Sequence, residues 1–81
     1  MQNYVKDLNT FLFRRAWSAA FLNVTDREAG ELIKDLYHYM NGEDPEEFSS
    51  QAIANLYEMI RSQLNYSAFR YLEKIKTIED E

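Results

Sequence analysis

Residues 24–42 (VTDREAGELIKDLYHYMNG) constrain the fold most, because they predict a helix with both ends marked. Thr25 followed three residues later by Glu28 is typical of a capping box, in which the two residues satisfy each other's backbone N–H groups. Gly42 can adopt the left-handed conformation that ends a helix. We therefore expect a helix over roughly residues 26–41.

The apolar residues of this helix repeat at helical spacing and predict one buried face. Gly30 lies inside the helix at some cost in helix propensity, and we expect it to allow close packing of a neighbouring helix. The rest of the chain must supply what the buried face packs against. Its members are Ala29, Leu32, Ile33, Leu36, Tyr37 and Met40.

The chain before this helix predicts a short lead-in, residues 1–9, and a first helix over about residues 10–23. The spacing i, i+4, i+8 of three aromatic residues supports that first helix, since it places them on one face. They are Phe13, Trp17 and Phe21, and the lead-in offers Tyr4, Val5 and Leu8 as docking points.

The C-terminal part predicts the longest helix, from near Ser49 or Ser50 to about Thr77, without an internal proline or glycine. The alternative is a helix broken near Asn65. At 1.5 Å per residue it would span roughly 40 Å and extend beyond a three-helix core. The expected fold is an all-α three-helix bundle with a long C-terminal third helix, as a single domain over residues 1–81. The apolar face comprises Ile53, Leu56, Tyr57, Ile60, Leu64, Ala68, Tyr71, Ile75 and Ile78.

Residues 42–49, which we name the connection, join the second and third helices. Asp44 followed by Pro45 predicts a cap and a first-turn proline, hence one helical turn before Phe48 or an early start of the third helix. Phe48 is expected to pack beneath the connection. The acidic residues here are typical of capping and solubility, or alternatively of a charged lip for a basic surface. They are Glu43, Asp44, Glu46 and Glu47.

The composition gives little support to an enzyme. The chain has no cysteine and one histidine, so it lacks thiolate metal sites, a cysteine nucleophile and the second histidine that a nucleophile–base set would need. No glycine-rich phosphate loop is present. We expect no catalytic residues and no cofactor. The lack of cysteine fits a cytoplasmic location, and neither a signal peptide nor a run of transmembrane length is apparent.

The charge is uneven. The formal net charge is −5, and residues 21–60 carry nine acidic side chains against Arg27 and Lys34. Since affinity for phosphate backbones comes from Lys and Arg, the chain is not expected to bind nucleic acid directly. Arg14 and Arg15 are too few for such a footprint. A basic protein partner fits this distribution better.

The third helix also carries apolar residues among polar ones on the side away from its core face, where Asn65 is one of the polar neighbours. Scattered apolar surface residues are normal. The alternative is a contact patch, because Tyr, Phe and Met are favoured at interfaces. Self-association is the commonest form of such contact, so a homodimer through this helix is expected. The residues are Met59, Tyr66 and Phe69.

Glu31, Asp35 and His38 share one face of the second helix at i, i+4 and i+7. A carboxylate–histidine set can bind a divalent metal, but di-metal helical bundles need matching sets from other helices, and none exists here. The other interpretation is a solvated acidic face in which the histidine makes a local pair.

Several motifs in order carry a resemblance to a known group of proteins. They are Phe13 with Trp17, residues 26–32 (DREAGEL), Tyr39 with Asn41, Gly42 and Pro45, Gln63 with Leu64, and Tyr71. With these motifs the chain resembles small helical domains of phages and prophages of Gram-positive gut bacteria, over about two-thirds of its length. Some of those domains resemble the N-terminal segment of phage replication-initiation proteins. Members often continue into a basic, glycine-rich tail, whereas this chain ends in Glu79, Asp80 and Glu81.

The resemblance implies a phage-type helical module in a bacterial host. Combined with the charge, it leads to our main hypothesis, a non-enzymatic acidic protein-binding module. Its sharpest form is an inhibitor of a host defence nuclease, of the anti-CRISPR type, since an acidic surface can occupy a nucleic-acid channel. The alternatives are an accessory factor in phage DNA replication and a metal-binding protein at Glu31, Asp35 and His38.

Overall fold

The computed structural model of the chain describes residues 3–8, 13–45 and 47–79. A 3-10 turn at Val5–Asp7 is followed by a second at Arg15–Trp17, which leads into α1 (Ser18–Leu22). The longer helices are α2 (Asp26–Met40) and α3 (Gln51–Glu79). The expected all-α fold with three helices and a long C-terminal one is therefore confirmed.

The caps predicted for α2 are both present. The Thr25 hydroxyl accepts a hydrogen bond from the Glu28 N–H at 3.1 Å, and the Glu28 carboxylate accepts one from the Thr25 N–H at 3.0 Å. At the other end Gly42 has φ 82°. The Glu43 N–H donates to the His38 carbonyl at 2.8 Å, which is the closing bond of a Schellman motif.

The core forms where α2, α3 and the N-terminal segments meet. α1 is too short to bury a face alone, so most of the core comes from the two longer helices. The buried apolar side chains are Val5, Trp17, Ala20, Leu32, Leu36, Tyr39, Ile53, Tyr57, Ile60, Leu64 and Ala68.

The buried face of α2 is rotated relative to the expected one. Tyr37 is 54% exposed, whereas Tyr39 is only 5% exposed, so the prediction that Tyr37 belongs to the core is wrong. The reason is the position of α3: its Arg61 guanidinium lies over the Tyr39 ring, 5.6 Å from the centroid. The α2 face that packs on α3 is therefore centred on Leu32, Leu36 and Tyr39.

Gly30 does not serve a helix contact. A Cβ atom built at this position would meet nothing within 4 Å, and the residue is exposed. The prediction of close helix packing at Gly30 is therefore wrong, because no neighbouring helix among the described residues comes into contact at this position.

The first helix is much shorter than expected. Arg14 is extended, with φ −76° and ψ 136°, so Phe13 lies outside any helix; residues 10–12 lie outside the described part. The aromatic cluster still forms, since the Phe13 ring is 5.4 Å from that of Trp17 and 5.2 Å from that of Phe21. Ring contacts of this kind do not require a helical backbone between the rings.

The third helix runs without a break through Asn65, a point that the sequence left open. It starts at a cap in which the Ser50 hydroxyl accepts from the Ile53 N–H at 3.2 Å. Its predicted apolar face is buried only as far as Ala68. Tyr71 is exposed, and its assignment to the core is wrong because α3 extends there beyond the rest of the fold. The side chain of Ile78 lies outside the described part.

The N-terminal lead-in packs on the side of α3 that was expected to face away from the core. The Tyr4 N–H donates to the Asn65 side-chain oxygen at 2.7 Å, and the Tyr4 and Phe69 rings are 5.0 Å apart. Asn65 is only 4% exposed and Phe69 is half-buried. The predicted outward position of these two residues is therefore wrong. Tyr4, Val5 and Leu8 do dock on the core, as expected.

The connection is not helical at residues 43–45 or 47–48, so the predicted helical turn before Phe48 is not found there. Phe48 does pack inward, with its ring 5.1 Å from that of Tyr57. The Phe48 ring therefore fixes the connection to α3 through this aromatic contact.

Candidate functional site

The connection is tied to one face of α2 near both of its ends. The Ser49 N–H donates to the Glu31 carboxylate at 3.0 Å, and the Glu43 carboxylate lies 3.7 Å from His38 Nδ1. Asp35 lies on the same face of α2, between these two ties, because i, i+4 and i+7 positions align on a helix. The structure thus brings together the α2 residues and the acidic connection that the sequence singled out separately.

Glu31 acts as a tether for the connection. The hydrogen bond from the Ser49 backbone holds the pKa of Glu31 below its usual value, and the Ser49 hydroxyl and nearby Arg27 act in the same direction. Hydrogen bonds to a carboxylate favour its charged form. The charged carboxylate of Glu31 therefore stabilises the position of Ser49 at the end of the connection.

Asp35 is a buried carboxyl group. It is 8% exposed, and its Oδ2 has no hydrogen-bond partner among the residues described. Burial raises the pKa of Asp35, and the nearby charge of Glu31 adds to the rise while His38 opposes it. A buried polar group without a partner costs free energy, so this carboxyl group needs an explanation.

A groove of about 510 Å³ runs along this side of α2. Its volume falls within the usual range of binding sites. Gly30 contributes only backbone to its wall, so a ligand could approach the helix closely there. The lining residues are Asp26, Arg27, Gly30, Glu31, Lys34, Asp35 and His38.

The connection also presents an acidic surface. Glu43, Asp44 and Glu47 are exposed, whereas Glu46 lies outside the described residues. Burial raises the pKa of Tyr57 to about 12, and Glu58 and Asp44 both add to that rise. Glu58 of α3 and Asp44 of the connection therefore both lie near Tyr57. We name Glu43, Asp44, Glu47 and Glu58 the acidic surface.

Two of the three apolar residues predicted on the back of α3 are exposed. Met59 and Tyr66 lie on one face of the helix, two turns apart, and both are open to solvent. Phe69 is not free, because it packs on Tyr4. The structure therefore leaves Met59 and Tyr66 as an exposed apolar pair.

The structure does not gather Glu31, Asp35 and His38 into a metal centre. Across residues 3–8, 13–45 and 47–79, no group of three His, Cys, Asp or Glu side chains is placed to hold a metal ion. The Glu31 carboxylate faces Ser49, and the His38 ring faces Glu43, so two of the three candidate ligands have other partners. Among the helices described, none is both long and apolar enough to cross a membrane.

Comparison with protein families assigns the chain to a family. A family model matches residues 10–80, which covers all three helices and the connection. The chain belongs to DUF6291, a family of unknown function. No curated protein and no solved structure matches it.

Sequence reasoning missed two features of the candidate site in this DUF6291 chain. It did not associate Glu58 with Asp44, since the two are separated along the chain and both come near Tyr57 only through the packing of α3. It also placed Asp35 on a solvated face, whereas Asp35 is buried. The alternation of core and polar positions along α2 carries no signal for either feature.

Proposed function

We propose that the chain is a non-enzymatic protein-binding module whose acidic surface docks on a basic, nucleic-acid-handling protein. The observation that carries this proposal is the exposure of three carboxylates on one short segment, Glu43, Asp44 and Glu47, with Glu58 of α3 near the same tyrosine, Tyr57, as Asp44. These groups come from two segments that lie apart in sequence. Closely spaced negative charges are what a phosphate-binding channel recognises through its Lys and Arg side chains.

Electrostatics favours a basic partner over other classes. The surplus of acids in residues 21–60 speeds association with a positively charged surface and opposes association with a phosphate backbone. Arg61 is paired with Glu58. This arginine neutralises the charge of one carboxylate of the acidic surface and does not neutralise the three on the connection. The acidic surface can therefore act as a competitor for nucleic acid.

The sharpest form of the proposal is a phage- or prophage-encoded inhibitor of a host defence nuclease, of the anti-CRISPR type. The motif resemblance to phage and prophage domains and the small, acidic character of the chain support it. In such a role the acidic surface would occupy the channel through which the nuclease holds its nucleic acid.

The test is a titration of the protein into purified RNA-guided nucleases, with cleavage of target DNA as the measurement. We expect inhibition that weakens with added salt, because exposed charges are screened. Asp44→Lys should abolish it. Asp7→Lys, an equal charge change at an exposed residue of the lead-in, should retain it. Undiminished cleavage at every concentration of wild-type protein would remove the inhibitor hypothesis.

Self-association through α3 is a second proposal, supported by the exposed pair Met59 and Tyr66. Analytical ultracentrifugation should show a dimer that Met59→Glu and Tyr66→Glu each convert to monomer, while circular dichroism shows unchanged helicity. Leu22→Glu is the matched control, since Leu22 is an exposed apolar residue of α1. A wild-type protein that sediments as a monomer at all concentrations would refute this proposal.

A further inference from the structure

Asp35 has a carboxylate oxygen that its own helix does not satisfy. Its neighbours three and four positions away are Glu31, Leu32, His38 and Tyr39, and these are the positions that share its face. Only His38 can carry a positive charge, and its Nδ1 faces Glu43.

The α3 arginine that packs against α2 is also engaged. Arg61 forms an ion pair with Glu58 and lies over the Tyr39 ring. Arg27 interacts with Glu31. Arg61 and Arg27 thus have other partners, and the Asp35 Oδ2 remains without a hydrogen-bond partner in the described part of the chain.

The groove beside Asp35 has room for an incoming side chain. It is lined by three carboxylates against two cations, Arg27 and Lys34. At Gly30 nothing stands within 4 Å of where a Cβ would be, so a glycine occupies a mid-helix position without a packing reason. A glycine at such a place permits another backbone to come close to the helix.

We propose that this groove receives an arginine side chain of the basic partner and that the Asp35 carboxylate is its anchor. This inference rests on the proposed function and names a second point of contact for the same partner. A guanidinium group matches a carboxylate with two parallel donors and is more weakly hydrated than an ammonium group. It therefore enters a partly buried site at a lower desolvation cost than a lysine.

The first experiment uses an Arg-Gly repeat peptide and a Lys-Gly repeat peptide of equal length as probes, with binding measured by calorimetry. The Arg peptide should bind the wild-type protein more tightly than the Lys peptide. Asp35→Asn should weaken the Arg peptide by roughly tenfold to hundredfold, the usual loss for a hydrogen bond to a charged group. Asp26→Asn, at an exposed acid of the same groove, should leave binding nearly unchanged.

A direct observation on Asp35 accompanies the calorimetry. The side-chain carboxyl carbon resonance of Asp35 should shift when the Arg peptide is added. Gly30→Leu, which places a bulky side chain in the groove at an open position, should abolish this shift while circular dichroism stays unchanged.

Equal affinity of wild type and Asp35→Asn for the Arg peptide, or no binding of the peptide at all, would overturn the anchor assignment. The nuclease titration with Asp44→Lys decides the proposed function separately. Inhibition that depends on Asp44 and persists in Asp35→Asn would leave the acidic surface as the docking site and remove the groove from it.

Discussion

Asp35 and Glu31 lie one turn apart on α2, yet their surroundings shift their pKa values in opposite directions. Burial raises the pKa of Asp35, whereas the hydrogen bond from Ser49 lowers that of Glu31. The charged form of Asp35 lowers the free energy of unfolding, whereas the charged form of Glu31 raises it. Their contributions to stability must therefore depend on pH with opposite sign.

Asp35→Asn should stabilise the protein at neutral pH. The pKa of Asp35 is higher in the folded than in the unfolded state, so its ionisation destabilises the fold as pH rises above the unfolded value of about 3.9. Below that value the carboxyl group is protonated in both states, and the variant should lose its advantage. Urea unfolding at a series of pH values measures this. A variant less stable than wild type at pH 7 would contradict the raised pKa of Asp35 in the folded state.

Glu31→Gln should destabilise the protein at neutral pH. The stabilisation from Glu31 is present above its unfolded pKa of about 4.3 and is lost as pH falls through the lower folded value. The difference in the free energy of unfolding between wild type and variant should therefore disappear in acid. The same urea titrations apply, with Glu47→Gln at an exposed position as the control that should show no such difference. A difference in the free energy of unfolding that persists unchanged below pH 3 would show that the charge of Glu31 does not cause the stabilisation.

At the scale of elements, α2 could be predicted closely and the first helix could not. The Thr25–Glu28 capping box and the αL residue Gly42 are local signals, complete within a few residues, so they locate both ends of α2. The aromatic spacing of Phe13, Trp17 and Phe21 is compatible with a helix, but the rings also cluster when the backbone at Arg14 is extended. Side-chain spacing alone therefore could not locate the start of α1.

The rotation of the α2 face gives a prediction for that element. Leu36 is buried and Tyr37 is exposed, although both belong to the apolar pattern in the sequence. Leu36→Ala should lower the free energy of unfolding by about 2–5 kcal/mol, the range for emptying a core leucine. Tyr37→Ala should change it by less than about 0.5 kcal/mol, as surface substitutions do. Equal losses in the two variants would mean that the α2 face is assigned incorrectly.

At the scale of the whole molecule, the contacts that sequence could not predict are the longest in range. The hydrogen bond between Tyr4 and Asn65 joins residues 61 positions apart. It fixes the lead-in against the side of α3 that carries Asn65 and Phe69. The polar residues on that side predict from the sequence that it faces solvent. The proximity of both Glu58 and Asp44 to Tyr57 has the same origin. By contrast, the length of α3 follows from its uninterrupted apolar pattern.

Asn65→Ala tests this contact with the lead-in. Removing the side-chain oxygen leaves the Tyr4 N–H without its acceptor, so we expect a loss of about 1–3 kcal/mol in the free energy of unfolding. Asn55→Ala is the control, because Asn55 is exposed and accepts only a side-chain bond from Gln51 among the contacts described. Faster hydrogen exchange at Val5 and Lys6 in Asn65→Ala should accompany the loss. Protection equal to that of wild type would contradict the role of Asn65.

Docking of the acidic surface on a basic partner is tested by sedimentation velocity of the protein mixed with a purified RNA-guided nuclease. We expect wild-type protein and Asp7→Lys to move into a heavier complex at low salt, and Asp44→Lys to sediment as the free protein. Sedimentation of wild-type protein at its own rate in every mixture, or a complex that forms equally well with Asp44→Lys, would contradict it.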